Sequence, residues 1–229
     1  AMEERLAAET KDGSLHDPMV RVRMAKIKRH RPYFLMVMSF VQFVLLWVSL
    51  GLNQKYTGQF IETKPVFNSM IGASPGVLIR MGARWVPCMM NTTFFYEYSG
   101  ICCPSGSVGS GLTNSDCAVS DAPGYVCTLG EICAIKPLGN PPNQWYRVII
   151  PIGLHGGFIH YLMNMLIQMR TGFQMERDFN WWRIFIIYFA SGIGGFAFGA
   201  AFNTTTPSVG CSGSLFGLIA CLLIDLVQN

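Results

Sequence analysis

The chain has 229 residues, 51% hydrophobic and only 13% charged, with a formal net charge of +4 and a mean hydropathy of +0.34. Soluble domains carry about 25% charged residues, so this composition excludes an ordinary water-soluble domain and a disordered chain alike. The charge is small and no basic tract is interleaved with aromatics, which excludes nucleic acid as a partner class.

A membrane-spanning helix needs roughly 20 mostly apolar residues. Residues 1–32 read as a cytoplasmic basic segment, with Arg21, Arg23, Lys26, Lys28, Arg29 and Arg31 crowded before the first apolar run. Residues 33–52 then supply a first span without a single charge. A cleaved signal peptide would begin near residue 1 with a short apolar core; here 32 residues precede the run and no small-residue cleavage site follows. Three further spans are expected at about 148–169, 184–201 and 209–227, the last holding only Asp225 as a charge. Arg170, Arg177 and Arg183 lie between the second and third. Lys and Arg mark the cytoplasmic side, so residues 53–146 and the 203–208 loop belong on the opposite face. The basic N-terminal run reads as a topology signal with attraction to anionic lipid.

Residues 53–146 are too long to be a structureless connection. They hold Cys88, Cys102, Cys103, Cys117, Cys127 and Cys133, six of the eight cysteines. An even count outside the cytoplasm reads as three disulfides in an oxidising compartment, with 15 possible pairings. Zinc is the weaker reading because no repeated C-x-x-C spacing occurs, and no metal or other cofactor is expected. Sequons at Asn91 and Asn203 both fall on the side assigned as outer. The short run 77–81 (VLIRM) is too short to span and suits an interfacial helix.

Strongly polar residues inside spans are expensive and face a cavity or a partner helix. The second span contains His155, His160 and Asn164. On an ideal helix Asn164 lies roughly 40° round from His160 and about 6 Å along the axis, whereas His155 points elsewhere. The fourth span opens Gly210-Cys211-Ser212-Gly213-Ser214. The plain reading of its glycines is close helix packing: Gly213 and Gly217 make a GxxxG, as do Gly195 and Gly199. The sequence is not the G-x-S-x-G elbow of soluble hydrolases, because position 214 is serine.

The order H-x4-H-x3-N in one span, then G-x-S-G opening another two helices later, resembles the rhomboid family of intramembrane serine proteases. Trp145-Tyr146-Arg147 ahead of the second span and Glu176-Arg177 after it look like that family's aromatic–Arg and acidic–Arg pairs, and residues 67–84 are similar to the outer loop of its eukaryotic secretory-pathway members. The resemblance covers about residues 30–229. It implies an all-α polytopic membrane protein, a rhomboid-like helix bundle of which 147–229 form an incomplete core. It also implies Ser212 as nucleophile, His160 and Asn164 with the Ser212 backbone N–H as oxyanion hole, and His155, Trp145, Arg147, Glu176, Arg177, Gly210 and Gly213 as structural support. Substrates would be single-span membrane proteins held in the bilayer.

One departure stands out. Rhomboids take their general base from a histidine in the sixth span, and the four histidines here are His16, His30, His155 and His160. The reading is therefore of a family member cut after its fourth of six or seven spans, lacking its base. The alternative is an inactive rhomboid-like protein that binds and routes membrane clients; such relatives typically replace the nucleophile and place proline ahead of it, whereas Cys211-Ser212-Gly213 is intact here. An intramembrane transporter using His and Asn is the third class. The compartment is expected to be the secretory pathway or plasma membrane, since acidic Glu3, Glu4, Glu9, Asp12 and Asp17 argue against a mitochondrial transit peptide.

Overall fold

With no charge before Lys55, the first apolar run has nothing to stop it at residue 52, and α1 runs over Tyr33–Thr57 until Gly58 turns left-handed at φ +74°. The structure is a computed structural model that describes residues 30–64, 67–90, 129–133 and 143–228, with strand backbones at 101–102, 113–119 and 122–127. Two short helices follow in the 58–146 stretch, called the outer segment after its expected side: α2 (Pro75–Met81) and α3 (Val86–Met89), each opened by a proline in its first turn. Strands β1 (Ile101–Cys102), β2 (Thr113–Val119) and β3 (Ala122–Cys127) form an antiparallel sheet in the order β1-β3-β2. That sheet is an addition to the expected all-helical plan. Helix α4 (Leu129–Cys133) closes the segment.

The second expected span begins later than 148. Trp145–Val148 and Ile150–Ile152 are tight 3-10 turns, and continuous helix starts only at Phe158. Pro151 has no N–H to donate, and Gly157 takes φ +154°, so no α-helix can run through 151–157. The helix then continues well past 169, as α5 (Phe158–Ile167), a π-turn at Gln168–Gly172 and α6 (Phe173–Phe179). Asn180 caps the next helix by accepting from Trp181 N at 2.7 Å, and α7 covers Trp181–Phe202. Helix α8 runs Ser212–Gln228.

Helices α1 and α7 are long and apolar enough to cross a membrane, and α8 is a shorter apolar helix. Their outward faces stay apolar: Phe40, Trp47, Phe185, Phe198, Phe216 and Ile224 are all exposed. A surface of that kind in water would be an aggregation liability; hydrocarbon is its natural solvent. The inward faces meet in one cluster around Leu35, Ile152, Ile184, Tyr188, Cys211 and Leu218.

A closed polar network lies inside that cluster. Gln42 Nε2 donates to Tyr188 Oη at 2.9 Å and to the Ile152 carbonyl at 3.2 Å. Tyr188 donates onward to Gln168 Oε1 at 2.9 Å, and Gln168 Nε2 returns to Gln42 Oε1 at 3.0 Å and Ser39 Oγ at 2.8 Å. The network joins α1, the π-turn and α7, and each amide in it is used on both ends. Satisfied in this way, buried polar groups specify one packing rather than weaken it.

At the start of α1 Glu176 accepts from Phe34 N at 2.8 Å and Leu35 N at 2.9 Å. Two of the four orphan donors at the start of α1 are thereby satisfied by an acid, the sign a helix N-terminus favours. Neighbouring Arg177 holds the chain entering α1 through its carbonyl, which accepts from His30 N at 2.9 Å.

The outer segment has two cores of its own, Ile79 with Trp85, Cys88, Ile132 and Cys133, and Ala73 with Val77, Leu78 and Ala83. Val77, Leu78 and Ile79 of the 77–81 run are therefore buried within protein. Cys88 and Cys133 form a disulfide with Cα atoms 5.7 Å apart. The side chains of Cys102, Cys117 and Cys127, all of Cys103, and Asn91 lie outside the described residues, as do residues 1–29 with most of the basic cluster.

Candidate active site

Ser212 occupies the first turn of α8, with Cys211 O already accepting the first helical bond from Leu215 N at 3.0 Å. The first N–H groups of a helix have no intrahelical acceptor and carry partial positive charge, so Ser212 sits among unused donors. Its side chain is exposed and borders a cavity of about 180 Å³ shared with Arg84, Gly192, Phe196 and Phe216.

The segment leading to Ser212 is tied on several sides. Ser208 pairs in both directions with the Arg84 backbone, at 3.0 and 2.9 Å. Gly210 N donates to Pro151 O at 2.9 Å, and Cys211 Sγ lies 3.7 Å from His155 Nε2. Gly210 takes φ +123°, a conformation side chains rarely adopt. A Cβ there would stand 2.8 Å from His160 Cε1 and 2.9 Å from His160 Nε2, with Asn164 Nδ2 3.6 Å away. The structure thus brings His160 and Asn164 together against the backbone two residues before Ser212.

The histidine's tautomer follows from its other nitrogen. Gly156 N donates to His160 Nδ1 at 3.3 Å, so Nδ1 holds the lone pair and the proton is on Nε2, the nitrogen facing Gly210. Asn164 Nδ2 is buried and has no hydrogen-bond partner among the described residues. A buried amide donor left unused costs about 1–3 kcal/mol, and such an orphan is explained by strain, a catalytic role or an ordered water or ion. Two N–H donors on α5 and the helix N-terminus at Ser212 can together receive a negatively charged oxygen.

His155 is placed otherwise than the helical wheel predicts. It precedes α5 in the irregular stretch, and its ring packs 5.4 Å from both His160 and Tyr161, centroid to centroid. The outer segment fixes this stretch from above: Phe158 N and Ile159 N donate to Ile71 O and Met70 O at 3.0 and 3.2 Å. A side chain on Gly72 or Gly157 would collide with the opposing backbone, so the two strands of chain meet there in direct contact.

Arg147 is fully buried. It donates to Gln144 Oε1 at 2.6 Å, Ile79 O at 2.7 Å, Ala83 O at 2.8 Å and Cys133 O at 3.0 Å. Burial lowers its pKa to about 10, which leaves it a cation at neutral pH. Trp145 is 63% exposed, its ring 6.3 Å from that of Tyr146. Gly213 and Gly217 pack against Gly192 and Ser191 of α7, the close helix contact their spacing suggests. Asn203 ends α7 on the exposed surface, its side chain accepting from Thr206 N at 3.1 Å. Residues to which the sequence assigns no role of their own are Arg84, at the end of the 67–84 run, and the Gln42–Gln168–Tyr188 network. The two amides carried a usable signal, since an amide inside an apolar run needs a partner.

The family model described as Rhomboid domain matches residues 142–229. Rhomboid-type serine protease 2 of Emericella nidulans is 35% identical over 236 residues, covering 95% of this chain and 44% of the relative. Inactive rhomboid protein 1 of Danio rerio and inactive rhomboid protein 2 of Homo sapiens are 38% and 39% identical over 103 residues, 44% of this chain and 12% of each relative. The chain thus spans less than half the length of the curated relatives it matches.

Proposed function

The chain belongs to the rhomboid family, and from that premise we propose that it carries the nucleophile and oxyanion half of an intramembrane serine protease. The observation that carries the reading is the convergence of His160 Nε2 and Asn164 Nδ2 on Gly210, two residues ahead of Ser212. Ser212 Oγ attacks the carbonyl carbon of a substrate peptide bond. The new C–O bond pushes charge onto the carbonyl oxygen, where His160, Asn164 and the Ser212 N–H donate. Preorganised donors of this kind are worth about 10²–10³ in rate each. The serine proton passes to a base and then to the departing amine as the C–N bond breaks; water afterwards releases the acyl group and restores Ser212.

His160 accepts at Nδ1 and donates at Nε2, so it is committed as a donor. The base is assigned to a histidine outside these 229 residues, as the family resemblance implies. The substrates are single-span membrane proteins with helix-destabilising residues near the cut, because Ser212 needs extended backbone. The site works in the secretory pathway or plasma membrane with the N-terminus cytoplasmic; the Cys88–Cys133 disulfide supports an oxidising outer side.

The test is cleavage of a model single-span substrate in proteoliposomes by the protein expressed from its complete gene. Cleavage that disappears in Ser212→Ala is expected, and cleavage unchanged in that variant overturns the reading. The similarity to inactive rhomboids over 103 residues favours a second reading, client binding without hydrolysis. Wild-type protein that co-precipitates single-span clients and leaves them uncut supports it; the intact Cys211-Ser212-Gly213 stands against it.

A further inference from the structure

Arg84 closes the 67–84 run that resembles the family's outer loop, where the resemblance gives it no role; it is 3% exposed and uses both its backbone and its side chain on the segment that leads to Ser212. Its guanidinium donates to Gly199 O at 3.1 Å, Asn203 O at 2.5 Å and Thr206 O at 3.3 Å. Two of those carbonyls belong to the last turn and C-cap of α7, where a cation opposes the negative end of the helix dipole. Its backbone pairs in both directions with Ser208, four residues before Ser212. Next to it, Trp85 Nε1 donates to Thr205 O at 2.8 Å. The end of α7, the 203–208 loop and the approach to α8 are therefore all held by Arg84, through side chain and backbone, with its neighbour Trp85. Arg84 also borders the cavity that Ser212 opens into.

We propose that Arg84 is a positioning residue for Ser212: by clamping the end of α7 and the 203–208 loop it sets the register of Gly210 and hence where the Ser212 hydroxyl lies relative to His160 and Asn164. The inference rests on reading Ser212 as the nucleophile. Arginine is required because its planar fork meets three carbonyls with two nitrogens, whereas a lysine ammonium is a point donor on a flexible stem. A misplacement of about 1 Å at a reacting group can cost up to about 10²-fold in rate.

The test uses the protein expressed from its complete gene in nanodiscs, as wild type, Arg84→Lys and Arg84→Met. It measures kcat and KM on a single-span substrate and the rate constant for labelling of Ser212 by a small fluorophosphonate, per folded molecule and well below each melting temperature. Arg84→Met is expected to lower kcat and the labelling rate constant together by roughly 10–100-fold with KM within about twofold, and Arg84→Lys to restore only part of the loss. A labelling rate constant equal to wild type in folded variants overturns the proposal, leaving Arg84 a stabilising residue alone. If Arg84→Met does not fold, Arg84→Lys decides: wild-type kcat and labelling overturn the proposal. A wild-type protein whose Ser212 neither labels nor supports cleavage overturns the nucleophile reading itself, and this inference with it; that result is distinct, because it appears without any change at Arg84.

Discussion

Gly210→Ala perturbs the proposed site with a single methyl group, and two separate costs can be worked out for it. The first is conformational. At φ +123° a non-glycine residue is strained by about 1–3 kcal/mol. The second is steric: the new Cβ would lie 2.8 Å from His160 Cε1 and 2.9 Å from Nε2. Carbon atoms rest at about 3.5–4.0 Å, so His160 or the Gly210 segment must move by more than half an ångström. His160 cannot retreat without loss, because its Nδ1 accepts from Gly156 N. The displacement therefore falls on the spacing between the two donors and Ser212. With about 10² in rate at stake for a 1 Å error, kcat is expected to fall by about 10–100-fold while the melting temperature drops by a few degrees. The assay is steady-state cleavage by the complete protein in proteoliposomes, with thermal unfolding measured on the same preparations. Gly51→Ala is the matched control, since a Cβ there meets nothing within 4 Å; it should leave kcat unchanged and the melting temperature no lower. Wild-type kcat in a folded Gly210→Ala would refute the claim that this contact sets the site's geometry.

Two further outcomes follow from buried polar anchors. Arg147→Met keeps the side chain's stem but strips four acceptors of their donor; at about 1–3 kcal/mol for each buried group left unsatisfied, partly recovered by relaxation, the outer segment should lose about 4 kcal/mol. Limited proteolysis near residues 129–147 would report it, and protection equal to wild type would contradict the assignment. Glu176→Gln retains one acceptor and presents N–H₂ to the second amide of α1, for an expected loss of about 2–3 kcal/mol. Hydrogen exchange at Phe34 and Leu35 should accelerate about 30-fold or more, and unchanged exchange would show that the cap does not depend on the carboxylate.

Periodicity and hydropathy read the long helices well because a bilayer allows few alternatives: backbone groups in hydrocarbon must be satisfied locally. Thus α1 and α7 lie where their apolar runs do, longer by a few residues because amphipathic ends such as Lys55 and Tyr56 continue the same hydrogen-bond ladder. The same logic misplaced the start of the second span. Residues 148–157 are largely apolar, but most of them from Pro151 on are buried in protein, where irregular backbone finds partners: Pro151 O accepts from Gly210 N, and Met70 O and Ile71 O receive the first amides of α5. Hydropathy cannot distinguish lipid from protein as the apolar surroundings. The β-sheet at 101–127 was hidden for another reason: β2 (TNSDCAV) shows no alternation of apolar and polar residues, β3 holds Pro123 and Gly124, and the register rests on pairings such as Ile101↔Cys127.

The candidate site divides along the same line. Motif spacing was enough to put His160 and Asn164 on one face, because four residues are about one helical turn; the roles of Ser212, His160 and Asn164 come from the family resemblance. What spacing could not supply is the frame that holds the two helices in register, for its members come from distant segments: Arg84 from the outer loop, Pro151 from a 3-10 turn, Met70 and Ile71 from the stretch that caps α5. The common feature of that frame is that main-chain carbonyls do most of the accepting, and carbonyls leave no trace in a sequence. Only the donors can be read. An arginine such as Arg84 or Arg147, set among apolar residues beside a glycine-rich loop, is the readable half of such a clamp. Buried without a carboxylate, a guanidinium must find carbonyls, and the carbonyls left free in a helical protein are those at helix ends. In this chain Arg147 reaches the end of α2 and Arg84 the end of α7. Each therefore couples the outer segment to a helix terminus, and at α7 that terminus leads directly to Ser212.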